Sequence, residues 1–153
     1  MSGGSDGRRS ASMRLVLGTV VGRLPDGCSV APLDGSGPLR AGFSDPFRSR
    51  AGSLPDGSLV ALDTETTTPL VVWRWFPARV LAVTGDQLTL DEPMHGVIDA
   101  RVNAALGRRP RVGEAVYASI GLTEDWRIDA TEDDPAVAAG AFREIEALYR
   151  RLG

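Results

Sequence analysis

The sequence predicts a mainly β protein: a duplicated small β-barrel followed by a C-terminal amphipathic α-helix. Three observations predict it. Apolar runs of strand length recur between turn signals from Arg14 to Ile120, a strand-and-turn unit occurs twice, and apolar spacing switches to three- and four-residue steps after Pro135. The 18 glycines and 10 prolines suit many short strands joined by tight turns. A hydrophobic content of 42% is enough to build a packed core.

The elements follow in order. Residues 1–13, rich in Gly and Ser with Arg8 and Arg9, read as a flexible tail without a signal-peptide h-region. A first strand runs from Arg14 to Arg23, with Gly18 as the expected site of a bulge. Pro25-Asp26-Gly27 turns the chain, because Pro presets φ and Gly accepts positive φ, and Cys28 to Leu33 returns as a strand. Residues 39–53 show no clear period. A second Pro-Asp-Gly turn leads into a strand at Ser58–Asp63, and a threonine-rich loop precedes the β-branched and aromatic run Leu70–Phe76, which Pro77 ends or bends. Arg79–Val83 and Gln87–Asp91 form a hairpin about Thr84-Gly85-Asp86. Strands follow at Val97–Ala104 and Glu114–Ile120, with a short one at Trp126–Asp129. Pro135 suits a first helical position, and the helix continues to Leu152. Acids at its start and arginines at its end match the helix dipole.

Spacing supports duplication. Gly27 and Gly57 are 30 apart and Gly85 and Gly113 are 28 apart, so the two pairs are offset by 58 and 56. Gly85-Asp86 and Gly113-Glu114, each followed by an apolar strand, resemble the turn of SH3-like, OB-like and cradle-loop barrels. The resemblance covers residues 14–120 and implies a small barrel, without carrying functional residues. The expected organisation is a barrel over 14–120, with half-repeats at 14–64 and 70–120 forming one pseudo-symmetric barrel or two tandem ones. An acidic linker and helix occupy 121–153.

Composition narrows the function classes. All 17 basic residues are arginine, a pattern that GC-rich codon bias explains more simply than selection for guanidinium contacts. Residues 1–111 carry 13 Arg against 11 acids (+2), and residues 112–153 carry 4 against 9 (−5). A mildly basic body therefore meets an acidic C-terminal segment. One cysteine, Cys28, leaves no disulfide framework, and no apolar run reaches the roughly 18–20 residues of a membrane span. A cytoplasmic location is the expectation.

No catalytic, metal or cofactor motif stands out. A structural zinc site needs about four Cys or His ligands, and only Cys28 and His95 exist. Glu132-Asp133-Asp134 suits a solvated helix start. His95 in its loop, with a carboxylate from Asp63, Glu65, Asp91, Glu92 or Asp99, is the one acid–base constellation available to a small barrel enzyme.

Two groups point to binding. Trp73 and Trp75 alternate with Val72, Arg74 and Phe76, so one set faces the core and the other faces out. Burial of the tryptophans is favoured by their size, whereas exposure would give a stacking platform for bases or a protein anchor. Arg101, Arg108, Arg109 and Arg111 flank the last barrel strand, and Arg40, Arg48 and Arg50 lie in the comparable segment of the first half. OB-like barrels use such loops for oligonucleotides. Phe142, Ile145, Leu148 and Tyr149 give the helix an apolar docking stripe. The reading is a non-enzymatic interaction or accessory module of a larger assembly, binding a protein partner or itself. A nucleic-acid-binding barrel and a His95 enzyme are the alternatives.

Overall fold

Strands form where β-branched and aliphatic runs lie between turns. The computed structural model describes residues 13–45, 54–121 and 125–152. Its strands are β1 (Leu15–Leu24), β2 (Gly27–Pro32), β3 (Leu39–Phe43), β4 (Leu59–Asp63), β5 (Leu70–Thr84), β6 (Gln87–Glu92), β7 (Gly96–Val102), β8 (Ala115–Ile120) and β9 (Trp126–Thr131). The helix α1 spans Phe142–Leu152. Most of the expected tail, together with Phe47, Arg48 and Arg50, lies outside the described residues.

The chain divides into two units, residues 1–73 with 141–153, and residues 74–140. In the first, β1 pairs antiparallel with β2 and β4, β2 with β3, and β3 runs parallel to the start of β5. Strand β4 neighbours β5, which closes a ring. In the second, β5 pairs antiparallel with β6 and β8, β6 with β7, β7 runs parallel to β9, and β9 closes on β8. Each unit thus has the five-strand order of a Greek-key barrel of the OB type.

The two rings share their registers. Val20 faces Val30 in the first ring, and Val80 faces Leu90 in the second, each residue 60 positions from its counterpart. A bulge follows at Val21 and at Leu81. Gly57 (φ +90°) donates its N–H to Val20 O at 2.8 Å, and Gly113 (φ +88°) donates to Val80 O at 2.8 Å. Positive φ explains glycine at both sites.

The cores match as well. Val20, Cys28, Val30, Ala41, Val60, Leu62 and Val71 fill the first barrel; Val80, Leu88, Leu90, Ala100, Val116, Ala118 and Ile128 take the same positions in the second. Where the second barrel has the larger Leu88 for Cys28, it has the smaller Ala118 for Leu62, an exchange that conserves volume.

Register and pairing correct four expectations. Gly27 corresponds to Gln87, not Gly85: it is glycine because a Cβ there would lie 1.9 Å from Ala41 O. The β1 bulge falls at Val21, not Gly18, whose missing Cβ makes room for Val30 Cγ1 at 2.4 Å. Strand β5 passes through Pro77 unbroken. Pro77 pairs with Tyr117 of β8, while the β6 ladder begins only at Arg79, so the absent N–H forfeits no bond to β6. The last strand, β9, is a full barrel member rather than a short addition.

The helix also differs from expectation. Pro135–Ala141 winds as a 3-10 helix and α1 starts at Phe142. Gly140, which disfavours α-helix, sits at the junction. Ile145 and Leu148 are buried and Phe142 is half-buried. The Tyr149 hydroxyl donates to Val72 O at 2.8 Å and bonds Ser44 Oγ at 2.6 Å, which ties α1 to the first barrel. Among the described residues, no helix is long and apolar enough to cross a membrane.

Candidate interaction surface

The β5–β6 hairpin of the second barrel carries the strongest surface feature. Beyond its bulge, β5 pairs with β6 through Ala82, Val83 and Thr84. On its other side the β8 ladder covers Phe76 to Arg79, and Val80 bonds Gly113 and Glu114. Leu81 is 45% exposed and Val112 is 65% exposed. Because Gly113 bonds Val80, these two aliphatic side chains flank one backbone bridge.

Arginines surround that bridge. Arg79 Nη1 donates to Gly113 O at 2.7 Å. Arg108 forms a two-pronged pair with Glu114, which lowers the Glu114 pKa and raises its own. Arg109 reaches the fully exposed Asp86 at 3.3 Å, a pair of little energetic weight. The Arg111 guanidinium makes no ion pair among the described residues, though its backbone N–H donates to Glu114 Oε1 at 3.0 Å. The expected arginine cluster is therefore brought together at Arg108, Arg109 and Arg111. Arg101 is exposed on β7 opposite Gln87, the neighbour of the Asp86 that Arg109 reaches.

The tryptophans follow neither expected arrangement. Trp75 and Phe76 are both buried, while Trp73 is half-buried and belongs to the other unit. Trp75 is fully buried and so offers no face to a base; its Nε1 donates to Asp129 Oδ2 at 2.6 Å. Asp129 also accepts from Asn103 Nδ2 at 2.7 Å, Arg127 Nε at 2.8 Å and Ser119 Oγ at 3.3 Å. Sequence reasoning missed this buried carboxylate. Its only signal is its place beside the core residue Ile128, which turns it to the opposite face of β9.

His95 does meet a carboxylate, that of Glu92, through Nδ1 and Oε1. Glu92 is buried, and its Oε2 accepts from Met94 N at 2.6 Å. The imidazole packs edge-on to Phe76 and Trp126, with centroids 5.1 and 4.9 Å away. Both carboxylate oxygens are thus engaged within the β6–β7 turn, an arrangement that caps the turn. Burial pushes the Cys28 thiol up to about 11, which keeps it protonated and unreactive at neutral pH.

The strand face that OB-type barrels present to oligonucleotides lacks the groups for it. With Leu88, Leu90 and Ala100 in the core, β6 and β7 turn Gln87, Thr89, Asp91, Val97, Asp99 and Arg101 outward. The equivalent face of β2 and β3 shows Ser29, Ala31, Arg40 and Gly42. Neither holds an aromatic ring for base stacking. The second unit carries 7 arginines against 11 acids (−4), and the first 10 against 9 (+1).

No family model matches this chain, and no curated protein does. A solved structure described as a multidomain protein with nucleic acid binding domains from Streptococcus pneumoniae TIGR4 aligns at 10% identity. The alignment covers 75% of this chain and 50% of that one, with a TM-score of 0.29. A likeness this loose carries neither fold nor function.

Proposed function

We propose that the protein is a non-enzymatic interaction module in which two copies of one barrel act as a scaffold for a protein partner. One observation carries the reading: on the β5–β6 hairpin of the second barrel, the exposed Leu81 and Val112 flank the Gly113–Val80 backbone bridge, where β5 has no partner strand on that side among the described residues. Scattered exposed aliphatics are ordinary, but two of them at one bridge on an unpaired strand edge are the pattern of a docking edge. The polar groups otherwise suited to chemistry, Asp129, Glu92 and His95, are held in structural hydrogen bonds. Against nucleic acid stand the pairing of Arg108, the burial of Trp75 and the lack of an aromatic ring for base stacking on the outward face of β6 and β7.

Two measurements test the reading. Affinity purification of the tagged full-length chain from its own cells should recover a stoichiometric protein partner. The chain has no lysine, so stabilising the complex calls for carboxyl-reactive or photo-activated cross-linkers. Titration with single-stranded oligonucleotides at low and high salt should show no binding. Salt-sensitive oligonucleotide binding without a protein partner would replace this function with nucleic-acid recognition.

A further inference from the structure

We infer that the open edge of β5 at Leu81–Thr84 is a strand-addition site for an acidic, aliphatic-bearing extended segment of a partner protein. The inference rests on the interaction reading above and names the partner's chemistry.

The edge comes first. Strand β6 occupies one side of β5 as far as Thr84, whereas the β8 side is bridged only as far as Val80. Among the described residues, nothing pairs with the far side of Leu81–Thr84. Half of the backbone N–H and C=O groups of such an edge point outward, and an extended chain satisfies them best. Main-chain bonds supply affinity in this mode, and alternate side chains supply selectivity.

The flanking chemistry selects the chain. Leu81 and Val112 offer an aliphatic footing. Arg79, Arg109 and Arg111 lie on the segments around it. Arg79 bonds the Gly113 carbonyl, the exposed Asp86 answers Arg109, and Glu114, already paired with Arg108, also feels the Arg111 charge, so the three guanidinium groups are not all matched by carboxylates. A strand with aliphatic residues on one face and carboxylates on the other meets both. A second copy of this edge fits poorly, because a two-fold pairing sets the same arginines against each other.

The first barrel serves as an internal contrast. Among the described residues, its β1 has the same open edge at Val21–Leu24. By the register of Gly57 with Gly113, Asp56 stands in the place of Val112 and Pro55 in that of Arg111. An acidic strand loses the Val112 footing there and meets Asp56 in its place, with Arg23 as the exposed cation on the strand itself.

The test uses the full-length protein and a short fluorescent peptide alternating valine and glutamate, followed by anisotropy. Saturable binding that weakens with salt is expected. It should fall at least about tenfold in Leu81→Asp and in Val112→Asp, both exposed sites where substitution leaves the fold intact. A version N-methylated on the alternate amides that face the edge should not bind, and the intact peptide should slow amide exchange at Val83, which lies between the pairs Ala82 with Thr89 and Thr84 with Gln87 that β6 already bonds. A folded chain that binds neither peptide, or binds both equally, overturns the inference. So does light scattering that shows a dimer lost in Leu81→Asp, which makes a second copy the occupant. If a partner is captured but the peptide fails, the edge assignment falls and the module reading stands. If the peptide binds but no partner is captured, the edge stands and the module reading falls.

Discussion

The second barrel repeats the first at seven core positions, at the bulge and at the glycine that bridges to it, yet the two differ in almost everything around that frame. The first barrel takes its helix from a distant stretch of chain and fastens it through Tyr149. The second is continuous and carries a buried polar hub at Asp129 where the first has Val72. At the bulge, the first presents Val21 near Asp56, and the second presents Leu81 near Val112. The lesson is that register and core volume are held in common because they determine whether the ring closes. Residues turned away from the core are free to diverge, and function is read from them.

The comparison can be broken at several depths. Asp129→Ala should have the largest effect, about 3–5 kcal/mol in urea unfolding, since it strips a buried carboxylate from Arg127 and orphans the Trp75 and Asn103 donors. Its counterpart Val72→Ala should cost less, because only a small cavity is left. A near-neutral Asp129→Ala would mean that the hub is solvated.

Gly27→Ala should cost about 1–3 kcal/mol, because the added carbon meets the Ala41 carbonyl. The equivalent Gln87→Ala should stay within about 0.5 kcal/mol. Equal costs at the two sites would show the register alignment to be misassigned.

Gly57→Ala and Gly113→Ala should each cost about 1–2 kcal/mol, and the same amount, because both force a side chain into left-handed backbone at the same bridge. Unequal losses would show that the bridges differ in weight.

The smallest effect concerns pH. Burial raises the Cys28 pKa from 9.0 to about 11, so the unfolded chain loses the thiol proton before the folded one does. That contribution is intact below pH 9.0 and is lost as pH rises towards 11. Wild type should therefore lose stability across that window relative to Cys28→Val, and native Cys28 should resist thiol reagents near neutral pH. Parallel pH profiles would place the thiol in contact with water.

Much of the fold was legible because its determinants are local. Alternating apolar residues and the Pro-Asp-Gly and Gly-Asp turns locate the strands, and the Gly57–Gly113 correspondence is a true repeat point. The Gly27–Gly85 match misled, since a glycine needed for close approach and one needed for a turn look alike in sequence. The seven matched core positions were hidden, because hydrophobic identity changes between the copies: Cys28 becomes Leu88, and Leu62 becomes Ala118. The arginine run beside β8 was visible, but its footing was not. Leu81 and Val112 look like any strand aliphatics until a bulge turns one outward and a positive-φ glycine brings the other beside it. Asp129 was illegible for the same reason: four donors converge on it from β5, β8, its own strand and the segment after β7.

The most direct measurement of the central claim titrates the valine–glutamate peptide against two matched variants, Val21→Asp in the first barrel and Leu81→Asp in the second. The account predicts that Leu81→Asp weakens binding at least about tenfold. Val21→Asp, on an edge where Asp56 stands in the place of Val112, should change it less than about twofold. Equal losses in both variants, or a loss confined to Val21→Asp, would contradict it.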